Sequence, residues 1–244
     1  MSKPIRVLTN TAEVIDLLAT RGPLSVAEIS ELIDVPRPSV YRLVEALNGI
    51  SLTETGTDSR IDLSRRWLHL ADATRRAMTE WKSARTELNG LVEETGQTAF
   101  LSVPRSSGAV CIDWAQGRGI GVLLLKPGRS LPYHAGAAGR ILLAYGDNQD
   151  NYLMQAPFER FTPHTLVTRE ELAADIAQSR KQGYAISDED VTLGIGAIGV
   201  PVTDGEGQAC AALSLGGLAG EMKERQQEFI RALRGAAARL TPAS

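Results

Sequence analysis

Residues 25–47 read SVAEISELIDVPRPSVYRLVEAL and predict two short helices joined by a turn. Ser25 and Glu28 form a capping box, in which the serine side chain accepts from a free amide of the first turn and the glutamate reaches back to the cap. After the turn at residues 34–35, Pro36 and Pro38 lie in the first turn of the next helix, where a missing N–H costs little. The buried stripe of that helix consists of Val40, Leu43, Val44 and Leu47.

The opposite side of this third helix carries polar and aromatic groups. Helical phase turns Pro38, Arg42 and Glu45 outward. Guanidiniums, short polar groups and an aromatic ring near the N-terminal end are what a recognition helix presents to the major groove. The residues that we predict to contact DNA here are Arg37, Pro38, Ser39, Tyr41 and Arg42. The alternative is that Tyr41 is a packed ring and Arg42 a solvated charge.

The flanking segments complete a small domain over residues 1–64. The first helix starts at Val7, ends at Gly22 and is expected to bury Val7, Leu8, Val14, Ile15 and Leu18. Two alternating runs, 51–55 and 60–63, flank turn residues 56–59 and predict a β-hairpin, the wing of a winged helix-turn-helix. Arg60 at its base is placed to reach a phosphate or the narrow minor groove. A protein–protein module with the same elements remains an alternative.

Residues 65–95 predict a linker helix or helices. Apolar residues recur with a period of 3.5 residues, at Trp67, Leu70, Thr74, Ala77, Trp81, Ala84, Leu88 and Leu91. One long helix with a partner and a break near Thr79 are equally compatible with this pattern. Arg65 and Arg66, and with less support Arg75 and Arg76, are placed to approach the DNA backbone, although solvated helix faces often carry such charges.

Residues 96–244 change to a strand-like period and predict an α+β domain, an antiparallel sheet with flanking helices. The predicted strands are 98–103, 109–114, 121–126, 196–203 and 208–215, and the predicted helices are 141–145, 169–182 and about 219–240. The segment 131–140, with small residues at 135–139, leads into the first of these helices. Free amides at such a helix start can hold a carboxylate or a phosphate.

The sequence contains partial matches to enzyme motifs, but each lacks a feature that the motif requires. The GxGxxG match at residues 194–199 continues into an extended segment with Pro201 where a dinucleotide site needs a helix. Ser214 resembles a nucleophile elbow, but no histidine follows it in the chain. His69, His134 and His164 lack metal-ligand spacing. A Cys111 or Cys210 nucleophile with His134 as base stays open, although buried inert thiols are favoured. We therefore predict no catalytic residues, no metal and no cofactor.

Charge and hydropathy limit the cellular location and the partners that we expect for this protein. The net charge is -3, and residues 1–90 hold 12 basic and 12 acidic side chains, so any DNA contact must depend on locally placed arginines. No apolar run is long enough to cross a bilayer, and the N-terminus lacks the apolar core of a signal peptide. The expectation is a cytoplasmic protein without a membrane partner.

Taken together, the chain resembles the IclR (isocitrate lyase regulator) family of bacterial transcription regulators over almost its whole length. Four segments in this order and spacing carry the resemblance: 22–29 (GPLSVAEI), 36–43 (PRPSVYRL), 131–144 (LPYHAGAAGRILLA) and 180–184 (RKQGY), the last followed by Asp188-Glu189-Asp190. The resemblance implies a winged helix-turn-helix, a linker helix and a GAF-like effector domain. It also implies homodimers, often paired into tetramers, that bind double-stranded operators and repress or activate catabolic operons under a small-molecule effector.

The resemblance further implies an effector pocket. By the family's pattern its residues are Ala137, Ala138, Asp188, Ile195, Ala197, Ser214 and Gly216. Family members that bind small keto acids tend to have cysteine where Ala197 stands and serine where Gly216 stands. Since fewer polar groups remain here, we expect a larger or more apolar carboxylate, for example an aromatic acid. The alternative function is an effector-binding protein or enzyme whose N-terminal domain docks a protein.

Overall fold

A computed structural model describes residues 5–78, 81–106, 108–119 and 125–240; the side chains of residues 75 and 76 are not described. The chain forms two compact units, Met1–Thr79 and Glu80–Ser244. The boundary divides the predicted 65–95 linker between the units, while the predicted limits of the flanking domains stay predictions. None of the helices described combines the length and the apolar character needed to cross a membrane.

The first unit is a three-helix cluster with a hairpin and a fourth helix. Its elements are α1 (Arg6–Arg21), α2 (Val26–Leu32), α3 (Arg37–Gly49), β1 (Thr53–Thr55), β2 (Ile61–Leu63) and α4 (Arg66–Ala77). The predicted capping box is present: Ser25 Oγ accepts from Glu28 N at 3.2 Å, and Glu28 Oε2 accepts from Ser25 N at 2.7 Å. The two strands pair antiparallel with Thr55 opposite Ile61, and this confirms the wing.

The core of this unit confirms most of the predicted inward positions. Its buried apolar residues are Val14, Leu18, Leu24, Val26, Ile29, Val35, Val40, Val44, Leu47 and Ile61. The prediction is wrong for Val7 and Leu8, which are 56% and 62% exposed. The reason is that α1 meets the core only from Val14 onward, so its first two turns lie outside the packed part of the unit.

The second unit is built on one antiparallel sheet. Its elements are α5 (Ala84–Thr95), β3 (Thr98–Pro104), β4 (Gly108–Ala115), β5 (Ser130–Pro132), α6 (Ala137–Tyr145), α7 (Gln149–Leu153), α8 (Arg169–Gln182), β6 (Ala185–Asp188), β7 (Ile195–Thr203), β8 (Ala209–Leu218), α9 (Ala219–Glu224) and α10 (Gln226–Arg239). The strand order is β5-β4-β3-β8-β7-β6, and all neighbours pair antiparallel.

Helices cover both faces of this sheet. One face packs against α5 and α10 in a core that contains Leu88, Leu101, Leu213, Phe229 and Leu233. The other face packs against α6, which in turn packs against α8, in a second core that contains Ile141, Tyr152 and Leu172. The α+β class with an antiparallel sheet and flanking helices is thereby confirmed.

Several elements differ from the sequence prediction. The linker is two helices, since α4 ends at Ala77 and α5 begins at Ala84. The short elements β5, α7 and β6 were not predicted, and the C-terminal helix is interrupted at Arg225. Most of the predicted strand 121–126 lies outside the described residues.

Candidate DNA-contact face and effector cavity

The outward side of α3 is solvent-exposed, as predicted. Pro36 is the N-cap and a second proline stands at the start of the helix, which fixes the backbone there. Arg37, Pro38, Tyr41 and Arg42 are exposed and Ser39 is half-buried. Tyr41 is 63% exposed, so it is not a packed core ring. The predicted DNA-contact residues of α3 therefore share one accessible surface.

The two arginines of this surface have only weak internal partners. Arg37 Nη2 lies 3.9 Å from Glu31 Oε1, with both side chains largely exposed. Arg42 Nε donates to the Pro38 carbonyl oxygen over 3.4 Å. Exposed pairs of this kind contribute little to stability, because water competes for both groups. Both guanidiniums can exchange these partners for a phosphate or a base edge.

Arg60 has a structural role that the sequence analysis missed. Its Nη2 donates to Glu28 Oε2 at 3.1 Å, and its Nε donates to the Pro23 carbonyl oxygen at 3.0 Å. The amide and hydroxyl of Ser25, followed by the charge of Arg60, hold the pKa of Glu28 below its ordinary value. Arg60 thus ties the wing to the capping box of α2, and its contact with DNA stays a prediction.

The arginines at the start of α4 differ from one another. Arg65 is exposed. Arg66 Nη1 donates to the carbonyl oxygen of Ile50 at 2.5 Å, and Trp67 Nε1 donates to that of Leu52 at 2.7 Å. These two bonds attach α4 to the segment that follows α3. The side chains of Arg75 and Arg76 lie outside the described residues.

A cavity that is open to solvent lies in the second unit between the sheet and the N-terminal end of α6. Six of the predicted effector residues line it: Ala137, Ala138, Ile195, Ala197, Ser214 and Gly216. Other lining residues are Phe100, Ser102, Ala109, Leu125, Leu131, Ser187, Val191 and Thr192. The walls are therefore mostly apolar, with a few hydroxyl groups.

Small residues bring the start of α6 down onto the sheet. A Cβ on Gly199 of β7 would lie 3.1 Å from the backbone carbonyl group of Ala137, and one on Gly139 would lie 3.0 Å from the carbonyl oxygen of Pro132. Gly136, the N-cap, has a φ of 79°, a region that favours glycine. The run of small residues thus places a helix start at the cavity wall.

The first turn of α6 offers free donors. In the part of the chain that the structure describes, the amides of Ala137, Ala138 and Gly139 have no hydrogen-bond acceptor. The first amides of a helix lack an intrahelical acceptor, and the helix dipole favours an anion beside them. Ser214 on β8 adds a hydroxyl that makes no hydrogen bond to the described residues. This end of the cavity can receive a carboxylate.

Asp188 does not line the cavity, and it is the nearby Asp190 that contacts the start of α6. Asp188 is exposed at the end of β6, because Ser187 beside it points inward and side chains alternate along a strand. Asp190 is buried, and its Oδ2 accepts from Gly136 N at 3.1 Å and pairs with Arg140 Nη2 at 3.3 Å. Its Oδ1 accepts from the Ser187 hydroxyl. The carboxylate fixes the N-cap of α6 beside the cavity.

The surroundings of the rejected enzyme motifs do not favour catalysis. Residues 195–203 of the GxGxxG region form β7, and Ser214 lies in the middle of β8. Burial disfavours the charged form of each group: it raises the pKa of the Cys111 thiol to about 12 and lowers the pKa of His134. His134 is bonded to Tyr152 Oη at 2.8 Å and to the Glu159 carbonyl oxygen at 2.9 Å. Within the described ranges no three potential metal ligands come together.

A winged helix-turn-helix followed by a cavity-bearing sheet domain is the architecture of ligand-responsive transcription regulators. Comparison with known families is decisive: residues 7–55 match the IclR helix-turn-helix domain, and residues 76–241 match the bacterial transcriptional regulator IclR C-terminal domain. The chain belongs to the IclR family. It is a DNA-binding transcription regulator and not an enzyme, as the sequence analysis predicted.

Individual relatives support this assignment. The chain is 27% identical over 231 residues to the HTH-type transcriptional regulator XynR of Escherichia coli K12, covering 93% of this chain and 92% of that protein. It resembles the crystal structure of an IclR regulator from Alicyclobacillus acidocaldarius with a TM-score of 0.81, 24% identity and 98% coverage of both chains. An IclR homologue from Microbacterium hydrocarbonoxydans, crystallised with 4-hydroxybenzoate, has a TM-score of 0.80 and 21% identity, covering 96% of this chain and 97% of that one.

Proposed function

We propose that this protein is a cytoplasmic homodimeric regulator of a catabolic operon and that a carboxylate in the cavity sets its affinity for a double-stranded operator. The observation that carries the proposal is the pair of accessible features in separate units: the exposed arginine face of α3 and the free amides at the start of α6. Pairing of dimers into tetramers, and regulation as repressor or activator, are both compatible with this proposal.

On the DNA side, α3 enters the major groove. Arg42 and Tyr41 lie at the centre of its exposed face, with Arg37, Pro38 and Ser39 toward its N-terminal end. Arg60 and Arg65 supply further contacts to the sugar-phosphate backbone. Because residues 1–90 hold equal numbers of acidic and basic groups, affinity depends on these few arginines rather than on bulk charge.

On the effector side, the amides of Ala137 and Ala138 and the hydroxyl of Ser214 hold the acid group. Phe100, Leu125 and Leu131 supply an apolar surface for the rest of the molecule. The small side chains at Ala197 and Gly216 leave room for a ring. The 4-hydroxybenzoate complex of the Microbacterium homologue supports an aromatic acid as the ligand class.

The two sites communicate through a population shift. Effector binding favours one of two arrangements of the sheet and the linker helices, and this changes the distance or angle between the two recognition helices of a dimer. Operator half-sites have fixed spacing, so the change in geometry becomes a change in affinity.

Arg42→Ala tests the DNA side. Operator fragments are first captured from genomic DNA with the wild-type protein, and affinity is then measured over a range of salt concentrations. We expect Arg42→Ala to weaken binding and, for a phosphate contact, to reduce the salt slope by about 1. Arg231→Ala, which removes an exposed arginine from α10 of the second unit, is the matched control. Unchanged affinity and slope in Arg42→Ala, equal to the control, would remove Arg42 from the interface.

A further inference from the structure

Ser102 carries a buried hydroxyl that the protein itself does not satisfy. The residue is 0% exposed, and its Oγ has no hydrogen-bond partner among the residues that the structure describes. Ser102 lies on β3 and lines the effector cavity. Phe100, two residues earlier, lines the same cavity, while Leu101 between them belongs to the core on the opposite face. Strand alternation therefore aims the Ser102 side chain into the cavity.

Neighbouring strands offer this hydroxyl no partner. Ser102 stands opposite Ala212 on β8 and Cys111 on β4. Ala212 has no polar side-chain atom, and the Cys111 thiol donates to the Asp113 carbonyl oxygen at 3.3 Å. A buried hydroxyl without a partner is unfavourable, because it loses its hydrogen bonds to water and gains none. The cavity wall therefore carries a polar group without a partner among the described residues.

The position of Ser102 separates it from the acid-binding end. Phe100 stands opposite Ser214 on the adjacent strand, so Ser102 is a diagonal neighbour of Ser214. Diagonal neighbours on antiparallel strands lie about 7–8 Å apart. Phe100 and Ala109 line the cavity nearby and are apolar. The cavity thus has two polar points on one sheet face with apolar surface beside them.

We propose that Ser102 determines effector specificity by hydrogen bonding to a neutral polar substituent, a hydroxyl or a carbonyl, at the end of the effector distant from its carboxylate. The inference rests on the proposed function, since it takes the amides of α6 and Ser214 as the acid site. An aromatic acid with a hydroxyl opposite its carboxylate carries such a substituent.

The test compares benzoate with 4-hydroxybenzoate on the full-length protein by calorimetry, in wild type, Ser102→Ala and Thr98→Val. Thr98 lies on the same strand, and its hydroxyl accepts from Gly117 N at 3.1 Å, so Thr98→Val removes a satisfied hydroxyl outside the cavity lining. Wild type is expected to bind 4-hydroxybenzoate about tenfold more tightly than benzoate, the value of one net hydrogen bond. Ser102→Ala is expected to lose this preference, and Thr98→Val to keep it.

Thermal unfolding without ligand provides an independent readout. Ser102→Ala should unfold at the same temperature as wild type or a higher one, because it removes an unpaired hydroxyl, while Thr98→Val should unfold at a lower temperature. Equal wild-type affinities for the two acids, or a preference that survives in Ser102→Ala, would overturn the role of Ser102 and leave the acid site intact. If neither acid binds the wild type, the proposed acid site fails and this inference fails with it.

Discussion

Replacing Arg140 by methionine should destabilise the second unit severely, because Arg140 is the cation of a buried network. Its side chain is 4% exposed and pairs with Asp175 at 2.8 Å and Asp190 at 3.3 Å. It also donates to the Ile186 carbonyl oxygen. Removal leaves the Asp190 carboxylate, itself 3% exposed, without its counter-charge. Breaking a buried pair from one side costs about 3–5 kcal/mol.

Urea unfolding followed by tryptophan fluorescence measures this loss. A Trp67→Phe background removes the reporter of the first unit and leaves Trp81 and Trp114 in the second. Adding Asp190→Asn to Arg140→Met should restore at least about 1 kcal/mol of the free energy of unfolding, since the buried charge left without a partner is removed. The two single variants and the double variant form a double-mutant cycle, which isolates the coupling between the two side chains. A loss below about 1 kcal/mol, or no recovery with Asp190→Asn, would refute the assignment of this network as the support of the α6 N-cap.

Two further variants test the roles assigned to single side chains. Arg60→Gln should lower the thermal midpoint of unfolding of the first unit, because it loses an ion pair with Glu28 and a backbone hydrogen bond to Pro23. An unchanged thermal midpoint would contradict the structural role of Arg60. Burial lowers the pKa of His134 below 6.5, so near this pH the unfolded chain binds a proton at His134 and the folded chain does not. The free energy of unfolding of the wild type should therefore fall by up to about 1.4 kcal/mol per pH unit as the pH drops below 6.5. Urea unfolding across this range should show a shallower decline in His134→Gln than in wild type or in the exposed-site control His69→Gln, and equal declines would contradict the assignment.

Helices with strong local signals could be predicted from the sequence. The capping boxes at Ser25 and Thr168 and the glycine at 183 define the ends of α2 and α8 without any tertiary information. The prolines at the start of α3 act in the same way. In these places the chain satisfies its own helix-terminal amides, so the local sequence is sufficient.

Other features depend on packing and could not be predicted. The strands β5 and β6 have three and four residues and α7 has five, too few for a period to emerge. Val7 and Leu8 have the spacing of buried residues, but they precede the part of α1 that packs into the core, and both are more than half exposed. Apolar periodicity indicates which face could be buried, and only the packing shows how far along the helix burial extends.

The residues of the candidate cavity likewise divide into those that could be predicted from the sequence and those that depend on packing. The segment 131–140 predicted a helix start with free amides, and the family resemblance supplied six lining residues. Asp188 could have been rejected by strand alternation from Ser187, but β6 was not recognised as a strand. Ser102 gives no local signal, because its significance depends on the absence of a partner on β4 and β8.

The most direct test of the central claim is the affinity of the full-length protein for a captured genomic duplex, measured by fluorescence anisotropy with and without saturating 4-hydroxybenzoate. We predict specific binding at moderate salt and a change in Kd of at least about fivefold when the cavity is occupied. Failure to retain any duplex, or a Kd that is identical with the cavity empty and filled, would contradict this claim.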